Sequence, residues 1–205
     1  MKTSKSNIIA QGAEAKIIKQ GNIITKDRIP KGYRLPVLDN KLRKQRTKKE
    51  SKILVKAFTL IPVPKLINSD EKEKIEMQFI EGKKLSESLD NLKNNKKICK
   101  TIGKQTAILH DNNIIHGDLT TSNMIYSKEE KVYFIDFGLS YESDKTEDKA
   151  VDLHLIKQAL EAKHFKQHEK LFKSILDGYK ISKKYKETLN RLEQVEKRGR
   201  YKQAI

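Results

Sequence analysis

Two short strings constrain this chain more than anything else in its sequence. One reads H-x-D-x-x-x-x-N over residues 116–123, and the other reads D-F-G over residues 136–138. Between them, residues 124–126 and 132–135 are apolar or aromatic and flank a polar turn, which predicts a β-hairpin. Either string alone is weak evidence. Their order, with a hairpin of suitable length between them, predicts one functional site.

The residue types in these strings suit phosphoryl transfer. That reaction needs positioning and charge neutralisation from the protein rather than covalent chemistry. Mg²⁺ takes hard oxygen ligands, completed by phosphates and water, and Asn123 and Asp136 would supply two of them from opposite ends of the hairpin. Asp118 would bind no metal. Because an ordinary aspartate has a pKa of about 4, Asp118 would orient the attacking hydroxyl or water and take its proton late.

The N-terminal residues should form strands around a loop that covers phosphates. A loop of the form G-x-G-x-x-G would place glycines at positions 10, 12 and 15, but only Gly12 is a glycine. A single glycine usually means only a turn, so this evidence is weak, and the loop should be stiffer than a three-glycine loop. The residues predicted to contact nucleotide here are Ala10, Gln11, Gly12, Ala13 and Glu14.

A lysine and a glutamate are candidates for a buried ion pair. Lys26 ends an apolar strand and would contact the α- and β-phosphates of ATP, although an exposed edge lysine is the simpler alternative. Pro36 and Asp39 mark the start of a helix that carries Glu50 among many basic residues. A Lys26–Glu50 pair would hold the lysine in place, and Glu50 is chosen partly because few other carboxylates are available.

A strand followed by a break suggests where two lobes meet. Residues 75–80 alternate like a strand, and Glu81-Gly82 ends it. We therefore expect an α+β fold with a small β-rich N-lobe at 1–81, a mostly helical C-lobe at 82–196 and a basic tail at 197–205. The junction resembles the hinge of protein kinases, which implies that three residues would contact the base of ATP: Met77, Gln78 and Phe79.

Two residues near the D-F-G string are assigned structural roles. Asp152 opens a helix and would accept hydrogen bonds from the loop at 116–123, although it could merely complement the helix dipole. His116 would support the same loop. Only a short segment separates Gly138 from this helix, so the chain lacks a full activation segment.

Composition favours a polyanionic partner. The net charge is +17 and the pI is about 9.7, as expected for a protein near nucleic acid or nucleotide phosphates, although a Lys-, Ile- and Asn-rich genome gives the same bias. The basic run at 41–49 is equally consistent with a solvated helix face and with a phosphate track. The predicted nucleic-acid contacts in the tail are Lys197, Arg198 and Arg200.

The remaining composition indicates a soluble, cytoplasmic protein with no membrane partner. The single cysteine, Cys99, rules out an internal disulfide and suits a reducing compartment. The sequence shows neither a signal peptide nor a transmembrane run.

These residues closely resemble the atypical kinase subunit of the KEOPS (EKC) complex, the PRPK family. The resemblance covers nearly the whole chain and is most specific in the strings H-G-D-L-T-T-S-N at 116–123 and D-F-G-L-S at 136–140. Further matches are K-x-R-x-P-K-G-Y-R at 26–34, E-D-K-A-V-D-L at 147–153 and R-G-R at 198–200. The match is poor at 69–74 and 163–184.

The resemblance implies a minimal two-lobed kinase fold that binds ATP and Mg²⁺ and acts as a weak serine/threonine kinase or an ATPase. It also implies a role in threonylcarbamoyladenosine modification of tRNA. The implied partners are a threonylcarbamoyl transferase subunit on the C-lobe, a small regulatory subunit on the N-lobe, and tRNA. The chain is too short for the form fused to the transferase, so the resemblance implies the stand-alone form.

Three other functions are considered. The chain could be a nucleotide-stabilised adaptor that recruits tRNA and partners with little catalysis of its own. Aminoglycoside phosphotransferases share the first string, but they usually lack D-F-G-L-S and carry a larger helical lobe. RIO-type kinases share the minimal architecture, but the D-F-G string and the residues after it fit them less well.

Overall fold

The computed structural model describes residues 7–12 and 14–201. Its N-terminal part is a five-stranded antiparallel sheet with one long helix, α1 (Pro36–Phe58), packed against it. The strand order is β1-β2-β3-β5-β4. The strands are β1 (Asn7–Gln11), β2 (Ala15–Gln20), β3 (Ile23–Arg28), β4 (Leu66–Ser69) and β5 (Lys74–Gln78). Because β3 is central, its inward side chains face α1.

The C-terminal part is helical, as the sequence predicts. Its helices are α2 (Leu85–Ser88), α3 (Asn95–Asp111), α4 (Thr146–Lys163), α5 (His168–Tyr179) and α6 (Tyr185–Tyr201). Helices α3 and α5 pack with their backbones in contact at two glycines. A Cβ on Gly103 would lie 1.9 Å from the carbonyl oxygen of Ile175, and one on Gly178 would lie 2.0 Å from that of Lys100. Only glycine allows this approach.

Short strands connect the two parts and carry the loops of the site. The predicted hairpin is present as β8 (Met124–Ser127) and β9 (Val132–Phe134), and β6 (Gly82–Lys84) pairs with β8. A second pair, β7 (Ile114–Ile115) and β10 (Tyr141–Glu142), brackets the H-x-D and D-F-G strings. These pairings bring residues 116–123 and 136–138 together, and they confirm the expected α+β, kinase-like architecture.

Two boundaries differ from the prediction. The basic tail expected from residue 197 begins as the last turn of α6, which continues to Tyr201. The apolar stripe of this helix ends before its charged residues do, so the sequence pattern suggested an earlier end. Helix α4 begins at Thr146, ahead of the opening predicted around Asp152, because Glu147 and Asp148 complement its N-terminus.

No helix in the described part of the chain is long and apolar enough to cross a membrane.

Candidate active site

Lys26 and Glu50 form the predicted ion pair. Lys26 lies on central strand β3, between Ile17 on β2 and Ile75 on β5, and its side chain points towards α1. Its Nζ donates to Glu50 Oε1 at 2.8 Å, and both side chains are buried. Arg28, two residues along the same strand and therefore on the same face, binds the other oxygen of Glu50.

The same lysine also reaches the D-F-G aspartate. Lys26 Nζ lies 2.7 Å from Asp136 Oδ1, which also accepts the backbone N–H of Gly138 at 3.2 Å. Burial alone would lower the pKa of Lys26, but the carboxylates of Glu50 and Asp136 raise it above its ordinary value. Partial burial would raise the pKa of Asp136, but Lys26 lowers it. Lys26 is therefore an ammonium and Asp136 a carboxylate at neutral pH.

Asp136 has an unusual backbone conformation. Its φ is +61°, in the left-handed region that L-residues other than Asn and Asp seldom occupy. This conformation turns the carboxylate back towards β3, and about half of the side chain remains exposed to the cleft. Such outliers cluster at functional sites because the surrounding structure must hold them.

Asn123 holds Asp118 from the other end of the hairpin. The Asn123 amide nitrogen donates to Asp118 Oδ2 at 2.8 Å and to the Asp118 carbonyl at 3.0 Å. Its backbone carbonyl accepts the N–H of Ile135 at 2.9 Å, which fixes the residue to the D-F-G strand. Since the amide nitrogen faces Asp118, the amide oxygen faces away from it and is available as a ligand.

These donors fit Mg²⁺. The Asn123 amide oxygen and the Asp136 carboxylate are hard oxygens, and Mg²⁺ typically takes one or two carboxylates plus substrate phosphates and water. Within the described residues, no three His, Cys, Asp or Glu side chains converge into a metal cluster. This site would therefore hold the ion only together with the phosphates of a bound nucleotide.

Two adjoining cavities meet at Lys26 and Asp136. The first, of about 300 Å³, has mostly apolar walls that suit a base, and at one end it reaches Lys26, Asn123 and Asp136. The second, of about 400 Å³, includes Arg28 and Asp118 and suits phosphates. Of the predicted nucleotide contacts, Ala10, Met77, Gln78 and Phe79 line the first cavity, and Ala10, Gly12 and Glu14 line the second.

One described residue of the predicted loop is not brought to these cavities. Gln11 is exposed at the end of β1, opposite Lys16, and lines neither of them. Ala13 lies outside the described residues. Glu14 pairs with Arg46 at 2.5 Å, so an ion pair closes the side of the loop.

Asp152 anchors the loop that carries Asp118. Its two oxygens accept the backbone N–H groups of His116 at 2.6 Å and Gly117 at 2.9 Å, and His110 Nε2 lies 3.2 Å away. Asp152 is 1% exposed. Hydrogen bonds to a buried carboxylate are worth about 1.5–3 kcal/mol each, so Asp152 fixes the backbone just before Asp118.

His116 packs beneath the same loop. Its Nε2 lies 3.2 Å from the carbonyl oxygen of Ile135, and its ring contacts Phe137 at a centroid distance of 4.8 Å. Burial lowers the pKa of His116 despite nearby aspartates, so the ring is neutral at pH 7. A neutral ring can donate to the carbonyl but cannot act as a cation, which agrees with a structural role.

Sequence reasoning missed Arg28 and the chain of contacts behind Asp152. Arg28 could have been found, because a strand residue two positions from Lys26 faces the same way. His110 Nδ1 binds the hydroxyl of Tyr179 at 2.8 Å, which connects α5 to Asp152 through α3. Burial raises the pKa of Tyr179 to about 12. No sequence signal joins residues so far apart in the chain.

The predicted nucleic-acid residues lie on α6, away from the cavities. Arg198 Nη1 binds Glu147 Oε1 at 2.9 Å, and Arg191 Nε lies 2.5 Å from the other oxygen of that glutamate. Arg198 is therefore already engaged by a carboxylate. Lys197 lies beside it on α6, and the side chain of Arg200 lies outside the described residues.

The comparisons with known proteins first define the class. The RIO domain family model matches residues 30–167, which include α1 and both strings. The crystal structure of the Rio2 kinase-ADP/Mg²⁺-phosphoaspartate complex from Chaetomium thermophilum superposes with a TM-score of 0.64 at 16% identity, covering 96% of this chain and 72% of that one. The chain thus carries a RIO kinase-like domain, in agreement with the minimal architecture that sequence analysis noted as common to RIO-type kinases.

Relatives that match nearly the whole of this chain show which family within this class it belongs to. The KEOPS complex subunit Bud32 of Pyrococcus abyssi is 43% identical over 96% of both chains. The probable bifunctional tRNA threonylcarbamoyladenosine biosynthesis protein of Methanobrevibacter smithii is 42% identical over 95% of this chain, which spans 37% of that relative. The chain belongs to the Bud32 family of KEOPS subunits, as the sequence strings predict.

Proposed function

We propose that this chain transfers the terminal phosphate of ATP, as an atypical serine/threonine kinase or ATPase, within a KEOPS complex. There it supports threonylcarbamoyladenosine modification of tRNA. One observation carries the proposal: Glu50, Lys26 and Asp136 form a continuous ion-paired chain at the polar end of an apolar cavity. A lysine that binds phosphates must stay charged and must point towards the phosphate site. The two carboxylates give Lys26 both properties, and a lysine with a purely structural role would not require two of them.

Each side chain has a role in this reaction. Lys26, held by Glu50, would bind the α- and β-phosphate oxygens, and the apolar cavity would hold the base. Mg²⁺ would neutralise charge on the phosphates when bound, with Asn123 and Asp136 as its ligands. Asp118, fixed by the Asn123 amide, would orient the attacking oxygen and accept its proton.

Arg28 offers a second positive charge on the phosphate side. It is 4% exposed, lines the second cavity and is held by Glu50. Its Nε has no hydrogen-bond partner within the described residues. The guanidinium would therefore keep Glu50 in place and add to the positive field that attracts the phosphates.

The connection after the D-F-G string favours hydrolysis or autophosphorylation over phosphorylation of other proteins. Only residues 139–145 separate it from α4, and they include β10, which pairs with β7. A protein kinase binds its peptide on a long activation segment, for which this connection has no room. A water molecule or a mobile part of the chain itself needs no such platform.

The names of the relatives support partner subunits in a KEOPS complex, and the particular partners proposed here are those that the family resemblance implies. A threonylcarbamoyl transferase subunit would bind the helical part, a small regulatory subunit the sheet, and tRNA a basic surface. The proposed compartment is the cytoplasm, where tRNA is modified.

The test is ATP turnover by the purified chain, with and without the transferase subunit, compared with Asp118→Ala and Asp136→Ala. We expect phosphate release that the partner increases and that both substitutions reduce by at least about a hundredfold. Release no greater than in the variants, with nucleotide still bound, would overturn the proposal. The chain would then be an adaptor whose nucleotide serves only to stabilise it.

A further inference from the structure

The positive charges of this chain differ in how far neighbouring carboxylates neutralise them. On α1, half of the six basic residues that sequence analysis considered as a phosphate track are paired with carboxylates, whereas Lys41, Lys44 and Lys49 form no ion pair with a described residue. Arg43 binds Asp39 at 2.8 Å, Arg46 binds Glu14 at 2.5 Å, and Lys48 lies 2.9 Å from Glu71. Lys52 and Lys56 share Glu142. Arg191 and Arg198 share Glu147 on α4 in the same way. The paired groups are therefore poor candidates for a surface that binds phosphates.

Helices α3 and α5 carry a larger set of unpaired lysines. Six lysines on them are exposed, and none forms an ion pair with another described residue. We call this surface the lysine face. Its members are Lys96, Lys97, Lys100, Lys104, Lys170 and Lys173. The sequence from residue 91 to residue 110 contains no Asp or Glu.

The lysines of α3 lie on one side of the helix. Residues three and four apart are neighbours on a helix surface, and Lys96, Lys100 and Lys104 follow each other at intervals of four. Like charges at this spacing destabilise a helix by a few tenths of a kcal/mol per pair. The stripe from Lys97 to Lys104 is about 10 Å long, a distance over which one nucleic-acid strand carries about three phosphates.

The packing of the helices holds both sets of lysines together. Asn95 at the start of α3 bonds Gln167 just before α5, and Gly103 and Gly178 bring the two backbones into contact further along. The helices therefore run side by side in the same direction. The pKa of Asp177 is lowered most by Lys180, and it is lowered further by Lys173 of α5 and by Lys100 of α3. Because lysines of both helices act on the same carboxylate, the two helices direct their positive charge to the same region of the surface.

The surroundings favour a nucleic acid over a protein or a membrane. No large apolar residue is exposed on α3 or α5 themselves, and those nearest in the chain are Phe165 before α5 and Ile181 after it. Protein interfaces are depleted in lysine and need a cluster of aromatic or apolar anchors. A membrane surface site would likewise need apolar residues beside the lysines. Two acids lie on α5: Asp177, which Lys180 pairs at 2.6 Å, and Glu169, which is exposed.

We propose that the lysine face binds the phosphate backbone of a folded RNA. The inference rests on the proposed function for the identity of that RNA, which is tRNA. Lysine supplies point charges without base recognition, so the face would position the RNA and leave sequence selection to other surfaces. It replaces the tail residues around Arg198 as the main RNA contact of this chain.

The experiment measures the affinity of the purified chain for a labelled tRNA transcript as salt concentration is raised. The test variant carries Lys96→Gln, Lys97→Gln, Lys100→Gln and Lys104→Gln. The control loses the same charge at exposed, paired lysines through Lys48→Gln, Lys52→Gln, Lys56→Gln and Lys128→Gln. Circular dichroism checks that both are folded.

We expect the test variant to bind at least about tenfold more weakly, with the slope of log affinity against log salt reduced by about 3. The control should change the slope by less than about 1. Equal effects of the two variants, or an unchanged test variant, would overturn the proposal. So would polyglutamate or anionic vesicles that compete as well as unlabelled tRNA at equal charge.

ATP turnover separates this inference from the proposed function. The four substitutions on α3 lie outside the cavities, so turnover should match that of the unsubstituted chain. A chain without turnover that still binds tRNA through this face would retain the inference and reject the proposed chemistry.

Discussion

Lys26 reaches across the cleft to Asp136, with 2.7 Å between Nζ and Oδ1. The lysine that would bind phosphates and the carboxylate that would bind Mg²⁺ therefore neutralise each other in this structure. A bound nucleotide would have to replace that contact, with phosphate oxygens taking the lysine and the metal taking the carboxylate. Asp136 thus competes with phosphate for Lys26 and cooperates with it once Mg²⁺ is present.

The first prediction concerns Asp136→Asn, which keeps the shape of the side chain and removes its charge. Turnover of ATP should fall at least about a hundredfold, because an oxygen ligand is weakened. Binding of ATP in EDTA should stay equal or become tighter, because Lys26 no longer has this carboxylate as a partner. Fluorescence titration with and without Mg²⁺ measures both effects. Weaker binding in EDTA would mean that the carboxylate merely supports the lysine.

The second prediction concerns the shared carboxylate of Glu50. Glu50→Gln leaves the buried Lys26 and Arg28 without the charge that both contact, and breaking a buried pair in this way costs about 3 kcal/mol or more of unfolding free energy. Arg28→Met should cost less, about 1 kcal/mol, because Glu50 keeps Lys26. Urea unfolding followed by circular dichroism gives both values. The reverse order would show that Arg28, not Glu50, holds the site together.

The third prediction concerns the close contact of α3 with α5. Gly103→Ala would place its Cβ 1.9 Å from a backbone oxygen that cannot rotate away. The helices must separate, at a cost of at least about 2 kcal/mol. Gly32→Ala is the matched control, since nothing lies within 4 Å of its Cβ, and it should change stability by less than about 0.5 kcal/mol. Equal losses in thermal unfolding would refute the packing argument.

Local patterns were sufficient to locate much of the site. Lys26 follows from the pattern of a strand, and Glu50 from the pattern of a helix that offers few other carboxylates. The hairpin between Asn123 and Asp136 follows from two apolar runs and a turn. These signals depend on neighbours in sequence, so one sequence contains them. The D-F-G and H-x-D strings also predicted the family correctly.

Other contacts depend on residues that meet only in the folded chain. The approach of Gly103 to Ile175, the bond from Lys26 to Asp136 and the sharing of Glu147 by two arginines have no short-range signature. Charge runs illustrate the limit most clearly. The run at 41–49 on helix α1 reads as basic, and only the positions of distant carboxylates show that Arg43, Arg46 and Lys48 are paired while the rest of the run is not.

The last prediction concerns Cys99, which is completely buried in the core. Burial raises its pKa from 9.0 to about 12, so at pH 8 the folded chain holds roughly a thousandfold less thiolate than the unfolded chain. Since the thiolate is the reactive form, a thiol reagent should modify Cys99 only after denaturant is added. The folded state binds the proton more tightly, so the contribution of this group to stability is complete below pH 9 and is lost as pH rises towards 12. Cys99→Ala should remove that part of the alkaline loss, and an identical pH profile in the variant would show that the thiol is not protected by the fold.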